Sequence, residues 1–108
     1  MNKLPPKPNF DPRDDIDHVI HAPARLMIVS HLYVVDSMDC VFLMRITGMT
    51  WGNLSTHLTK LENVGYIVIK KGYKGKKPHT TIKLSKLGRK AFKNYRRNMM
   101  QILDDLPD

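Results

Sequence analysis

The side chains between Thr50 and Asn63 suggest a chemistry through their types and their spacing. On a helical wheel centred on Leu54, Leu58 and Leu61 fall within about 40° of one direction. Gly52, Thr56, Thr59 and Asn63 fall on the opposite side, flanked by Asn53 and Lys60. Solvent-facing helices are commonly rich in Glu and Lys. Small neutral hydrogen-bonding residues with one lysine instead allow close approach to base edges and phosphates. The segment is followed directly by Tyr66 to Gln101, a stretch with twelve Lys or Arg and no Asp or Glu. The remaining residues carry six Lys or Arg and ten Asp or Glu. Positive charge so concentrated favours a polyanion, and counterions released from nucleic acid would strengthen the binding.

Bond-making chemistry has little support. No phosphate-cradling Gly motif and no Gly-x-Ser-x-Gly elbow appears, and the basic half lacks carboxylates altogether, so an enzyme is not expected. His18 and His21 have ligand-like spacing but no carboxylate or thiolate support, and no metal or other cofactor is expected. Cys40, the only cysteine, excludes an internal disulfide and suits a reducing cytosol. A free buried cysteine usually acts as a small hydrophobe rather than a redox switch. His57 lies at the edge of the buried direction, where an edge-of-core role is the default and a DNA contact stays open. Trp51 falls beside that face, with packing preferred to base stacking but no role assigned. Tyr73 flanks the basic turn and stays unassigned.

With 108 residues, 42% hydrophobic, the chain fits one globular domain. No apolar run approaches the roughly 20 residues of a membrane span, so no membrane partner is expected. The start lacks the apolar core of a secretory signal, and a cytoplasmic location is expected.

The elements that must position the polar face follow from local signals. Residues 1–13 hold four prolines and read as an arm; Lys3, Lys7 and Arg13 could follow a phosphate backbone, but a solvated tail is preferred. Asp14 to Ile20 reads as a short helix, and Pro23 suits the first turn of another running to about Val35, with Leu26, Val29, Leu32 and Tyr33 buried. A third helix, roughly Asp39 to Thr47, is capped by Asp39 or Ser37 and buries Val41, Leu43 or Met44, and Ile46. Gly48 can end it and Thr50 can cap the next, which gives helix-turn-helix spacing. Beyond Gly65 the period changes to two. Tyr66–Lys71 and Thr80–Leu84 pair around a basic turn in which Pro78 discourages further pairing.

Ser85 can cap a last helix whose apolar stripe is Leu87, Ala91, Tyr95, Met99, Ile102 and Leu106, widened by Phe92 and Leu103. About 20 residues at 1.5 Å rise make roughly 30 Å, longer than a compact domain needs. Packing against a second copy is the natural way to cover the far half, so Tyr95, Met99, Ile102, Leu103 and Leu106 are expected at a homodimer interface.

Helix, helix, helix, strand, basic turn, strand, helix is the order of a winged helix-turn-helix, and specific residues carry a resemblance. Gly52-Asn-Leu-Ser-Thr-His-Leu-Thr-Lys-Leu-Glu62, followed by Gly65-Tyr-Ile, resembles the recognition helix of small MarR/ArsR-like winged-helix transcriptional regulators. Lys77 to Phe92 is similar to their wing exit, and Ala22-Pro-Ala-Arg-Leu-Met-Ile to their first core helix. The paired cysteines of ArsR-type metal sensors are missing. The resemblance implies a dimeric transcription factor that binds double-stranded DNA. The fold class expected is α+β, mainly α: a core over 14–85 and a C-terminal dimerisation helix over 86–108. Thr50, Gly52, Asn53, Ser55, Thr56, Thr59, Lys60 and Asn63 are candidate contacts of the recognition helix, and Lys74, Lys76, Lys77 and His79 of the wing. The alternative is an RNA-binding or protein-interaction module. A small-molecule effector is not legible.

Overall fold

The computed structural model describes residues 16–107. Within them the order is α1 (Pro23–Tyr33), β1 (Met38–Asp39), α2 (Cys40–Thr47), α3 (Trp51–Asn63), β2 (Ile67–Lys74), β3 (Lys77–Leu84) and α4 (Lys86–Asp104). The three strands form an antiparallel sheet in the order β1-β3-β2. This is the expected winged architecture, mainly helical with a small sheet. The 1–13 arm lies outside the described residues.

The helix expected over Asp14–Ile20 is corrected where it can be seen, because residues 18–20 form a turn. Asp17 Oδ1 accepts from the amides of Val19 and Ile20 at 2.9 and 3.0 Å. That local bonding offers the backbone an alternative to the helix. The hydroxyl of Tyr66 donates to the other Asp17 oxygen. Burial, and then Asp17, push the Tyr66 hydroxyl up to about 12, so it stays a donor.

α1 starts with Pro23 in its first turn and ends two residues before the expected Val35. Its buried residues are Ile28, Val29 and Leu32, whereas Leu26 and Tyr33 are half-buried. The helix touches α2, α3, α4 and β3, which turns its inward arc towards Ile28.

Asp39 caps α2, accepting from the amides of Val41 and Phe42 at 2.7 and 3.2 Å. The expected buried set of α2 needs correction. Cys40 and Leu43 face inward, while Val41 is 60% exposed and Ile46 37%. The cause is β1, which the sequence reading lacked. Its Met38 pairs with Ile82 and Asp39 with Thr81, and this fixes the rotation of the helix that follows at once. Gly48 ends α2 at φ 71°, a left-handed conformation that favours glycine. Thr50 caps α3, accepting from the Asn53 amide at 3.2 Å, and Leu54, Leu58 and Leu61 are buried as expected.

β2 and β3 are longer than expected, and pairing continues through Tyr73↔Pro78 to Lys74↔Lys77. Next to a two-residue turn the flanking pair is the hydrogen-bonded one. Antiparallel alternation therefore leaves Pro78 in a non-bonded pair, where a missing N–H breaks no ladder bond.

Ser85 caps α4, accepting from the Gly88 amide at 2.9 Å and donating to the Gly65 carbonyl. The buried line of α4 is Gly88, Phe92 and Tyr95, one residue away from the Leu87 start expected, and Leu87 is 54% exposed. The register follows from Gly88: a Cβ there would lie 2.0 Å from the Tyr66 carbonyl oxygen. Only glycine lets the helix lie this close to the start of the sheet.

Candidate nucleic-acid interface

α3 rests on Leu54, Leu58 and Leu61 and turns Gly52, Asn53, Thr56, Thr59, Lys60 and Asn63 to solvent, with Ser55 half-buried. Thr50 spends its hydroxyl lone pair on the cap. The hydroxyls of Ser55 and Thr56 donate to the Gly52 carbonyl at 3.1 and 2.9 Å, and that of Thr59 to the Ser55 carbonyl at 2.9 Å. With their protons folded back on the helix, these residues present oxygen lone pairs outward. Such lone pairs suit the amino groups on base edges in the major groove. The Asn53 amide and the Lys60 ammonium make no side-chain bond among the described residues and supply donors. A Cβ at Gly52 would meet nothing within 4 Å, so the face is open there.

The hairpin places its cations differently from the way the sequence lists them. Lys74, Lys76 and Lys77 are all exposed at the tip around Gly75. Eight residues of strand at about 3.3 Å each carry that tip some 25 Å from the base of the sheet. His79 is not brought to the tip. Its Nε2 lies 2.6 Å from Asp39 Oδ2, so it ties β3 to the cap of α2. Burial raises the Asp39 pKa, but the Phe42 and Val41 amides and His79 outweigh it and hold the carboxyl below its ordinary value.

The basic run divides in two. Lys70, Lys71, Lys74, Lys76, Lys77 and Lys83 belong to the hairpin, and Lys86, Arg89, Lys90, Lys93, Arg96 and Arg97 to α4. Arg89 is partly structural: it donates to the Tyr33 carbonyl at 2.9 Å and lies 4.9 Å from the centre of the Tyr33 ring. Among the expected dimer residues, Tyr95 is 6% exposed within its own chain, stacked on Phe92 and bonded to His21 Nδ1 at 2.9 Å. Met99 and Ile102 are half-buried, and Leu103 and Leu106 are 58% and 62% exposed. Leu106 lies beyond the end of α4.

Two features of this region escaped the sequence. Trp51, expected to pack, is 54% exposed. With Cys40, Leu58, Glu62, Ile69 and Lys71 it lines an open groove of about 690 Å³ between α3 and the sheet. The second feature is Arg25. Its Nε donates to the Val19 carbonyl at 2.6 Å, and its Nη1 lies 3.2 Å from His57 Nδ1. Burial first, then the charges of Arg25 and Lys60, lower the His57 pKa. Cys40 is buried, and burial followed by the nearby Asp39 raises its thiol pKa, against a reactive thiolate. Among the described residues, no three His, Cys, Asp or Glu side chains gather to hold a metal. No helix among the described residues is long and apolar enough to cross a membrane.

The geometry agrees with three comparisons. A protein of Methanocaldococcus jannaschii described only as uncharacterized is 33% identical over 84 residues, covering 78% of this chain and 91% of the relative. A structure from Pyrococcus horikoshii OT3, described as a transcriptional regulator homologue, superposes with a TM-score of 0.78 at 24% identity, covering 83% of this chain and 91% of that one. A structure from Porphyromonas gingivalis W83, described as a transcriptional regulator of the MarR family, superposes with a TM-score of 0.63 at 20% identity, covering 82% and 85%. Both superpositions share the fold. The model of the winged helix DNA-binding domain family matches residues 24–103. These residues run from the first turn of α1 almost to the end of α4, and the chain belongs to that family.

Proposed function

We propose that the protein is a homodimeric, sequence-specific regulator of transcription that binds a pseudo-palindromic operator in double-stranded DNA and represses by occupying it. One observation carries the reading: α3 exposes a line of small polar residues with Lys60 (Gly52, Asn53, Thr56, Thr59, Asn63), its one acid, Glu62, lies on the flank beside the Trp51 groove, and the hairpin following it ends in three exposed lysines. α3 enters the major groove, with Asn53, Thr56 and Lys60 nearest the bases. The hairpin tip neutralises phosphates or reaches the minor groove. The exposed Leu103 and Leu106, beside half-buried Met99 and Ile102, support pairing through the far end of α4. Half-sites of such a dimer lie about 34–36 Å apart.

The test is selection of bound sequences from a random duplex pool by the purified full chain. An enriched inverted repeat with half-sites about one helical turn apart is the expected result. Salt-sensitive retention of DNA without enrichment would replace this reading with a sequence-independent role.

A further inference from the structure

We propose that Arg25 and His57 form a phosphate-binding notch at the edge of the recognition helix, with neutral His57 donating its Nε2–H to a DNA phosphodiester. The proposal rests on the DNA-binding reading and adds two residues to it, one of them from α1.

Arg25 fixes the tautomer of His57. A guanidinium can only donate, so the 3.2 Å contact from Arg25 Nη1 requires His57 Nδ1 to accept. The ring proton then sits on Nε2, which has no partner among the described residues. Protonating Nδ1 as well would turn an N–H towards Arg25, so the imidazole is held neutral. The groups facing the ring are Arg25 from α1 and Lys60 on its own helix, both cationic, and both lower its pKa together with burial.

Position along α3 supplies the ligand. Asn53, His57 and Lys60 are spaced i, i+4, i+7 and form one line on the helix. Asn53 and Lys60 are exposed and His57 is half-buried between them, on the side where α1 approaches. If Asn53 and Lys60 point into a major groove, the edge between them and α1 meets the groove wall, which is sugar-phosphate backbone. Arg25 adds charge there. Its Nε is held by the Val19 carbonyl and one Nη1 hydrogen by His57, which leaves the other guanidinium hydrogens for an anion. The notch thus offers one neutral donor and one cation at a fixed spacing.

The two residues leave different signatures. Arg25→Gln lowers the dependence of log affinity on log salt by about 0.9, because one charge that releases a counterion is lost. His57→Leu weakens operator binding about tenfold while the salt slope stays that of the unaltered protein, because a neutral donor releases no counterion. His57→Gln, whose amide N–H reaches a similar place, recovers most of that loss. Nitrogen NMR of the free protein shows His57 protonated at Nε2 and bare at Nδ1, and affinity stays flat between about pH 6 and 8.

Three results would overturn the proposal: a salt slope unmoved by Arg25→Gln, His57→Gln as weak as His57→Leu, or affinity climbing by one proton's worth as pH falls. The NMR measurement needs no variant to fold, and an Nδ1–H tautomer there also sinks it. The unaltered protein's binding is measured in the same series. Absence of binding there refutes the DNA reading itself, whereas binding indifferent to both substitutions refutes the notch alone.

Discussion

Tyr66 and Gly88 join α4 to the rest of the domain through a contact that leaves no room for a side chain. A methyl group on Gly88 would collide with the Tyr66 carbonyl oxygen at 2.0 Å, and backbone cannot swing aside as a flexible side chain can. Gly88→Ala should therefore destabilise the fold by about 3 kcal/mol despite the better helix propensity of alanine. The urea midpoint of the variant checks this, and an unchanged or raised midpoint would mean that the helix slides without cost. This contact also marks the limit of residue-level reading. Helical periodicity placed Leu54, Leu58 and Leu61 in the core correctly, since their polar opposites are unambiguous. In α4 several apolar residues compete for the inward line, and a close approach to Gly88, invisible in any hydrophobic pattern, decides among them. The Arg25–His57 contact was illegible for a related reason: 32 positions separate the pair, and no local rule brings them together.

At the scale of elements, one carboxylate links three of them. Asp39 ends β1, caps α2 and holds His79 of β3. Asp39→Ala should lower stability by about 1 kcal/mol, the usual loss when a cap is removed. The folded-state pKa of Asp39 lies below its ordinary value, so its contribution is present above the unfolded value of about 3.9 and fades as pH falls through the folded one. Unfolding curves of the variant and the unaltered protein should thus converge in acid below about pH 4, and a gap that persists there would assign the loss to packing. The hairpin belongs to this scale as well. Lys76→Ala combined with Lys77→Ala should weaken binding to all duplex sequences alike and reduce the salt slope by about two. An unchanged slope would remove the hairpin tip from the contact set. Caps, turns and the two-residue alternation of the hairpin were readable because each rests on one or two residues with a strong local preference. β1 was not, since two residues have no periodicity, and missing it cost the rotation of α2.

For the whole molecule, the open question is what covers the far end of α4. Gly88, Phe92 and Tyr95 spend the first half of the helix on its own domain, so the length argument from sequence applies only to the second half. There Met100, Leu103 and Leu106 stand 56%, 58% and 62% exposed, an unusual concentration of apolar surface beside a strongly basic helix. Leu103 gives the cleanest test because it is largely exposed in the single chain. Replacing it should change monomer stability by no more than about 0.5 kcal/mol. Leu103→Glu should convert the protein from dimer to monomer in sedimentation velocity. It should also weaken binding to a full inverted repeat at least tenfold while leaving single half-site binding nearly as it was, because only the linkage between two sites is lost. Thermal unfolding supplies the independent check. A dimer is stabilised by mass action, so the midpoint of the unaltered protein should rise with protein concentration and that of Leu103→Glu should not. If both midpoints ignore concentration and both proteins sediment as monomers, α4 is no dimerisation helix. One α3 would then have to find its site alone, with the hairpin and the Arg25–His57 edge as its only support.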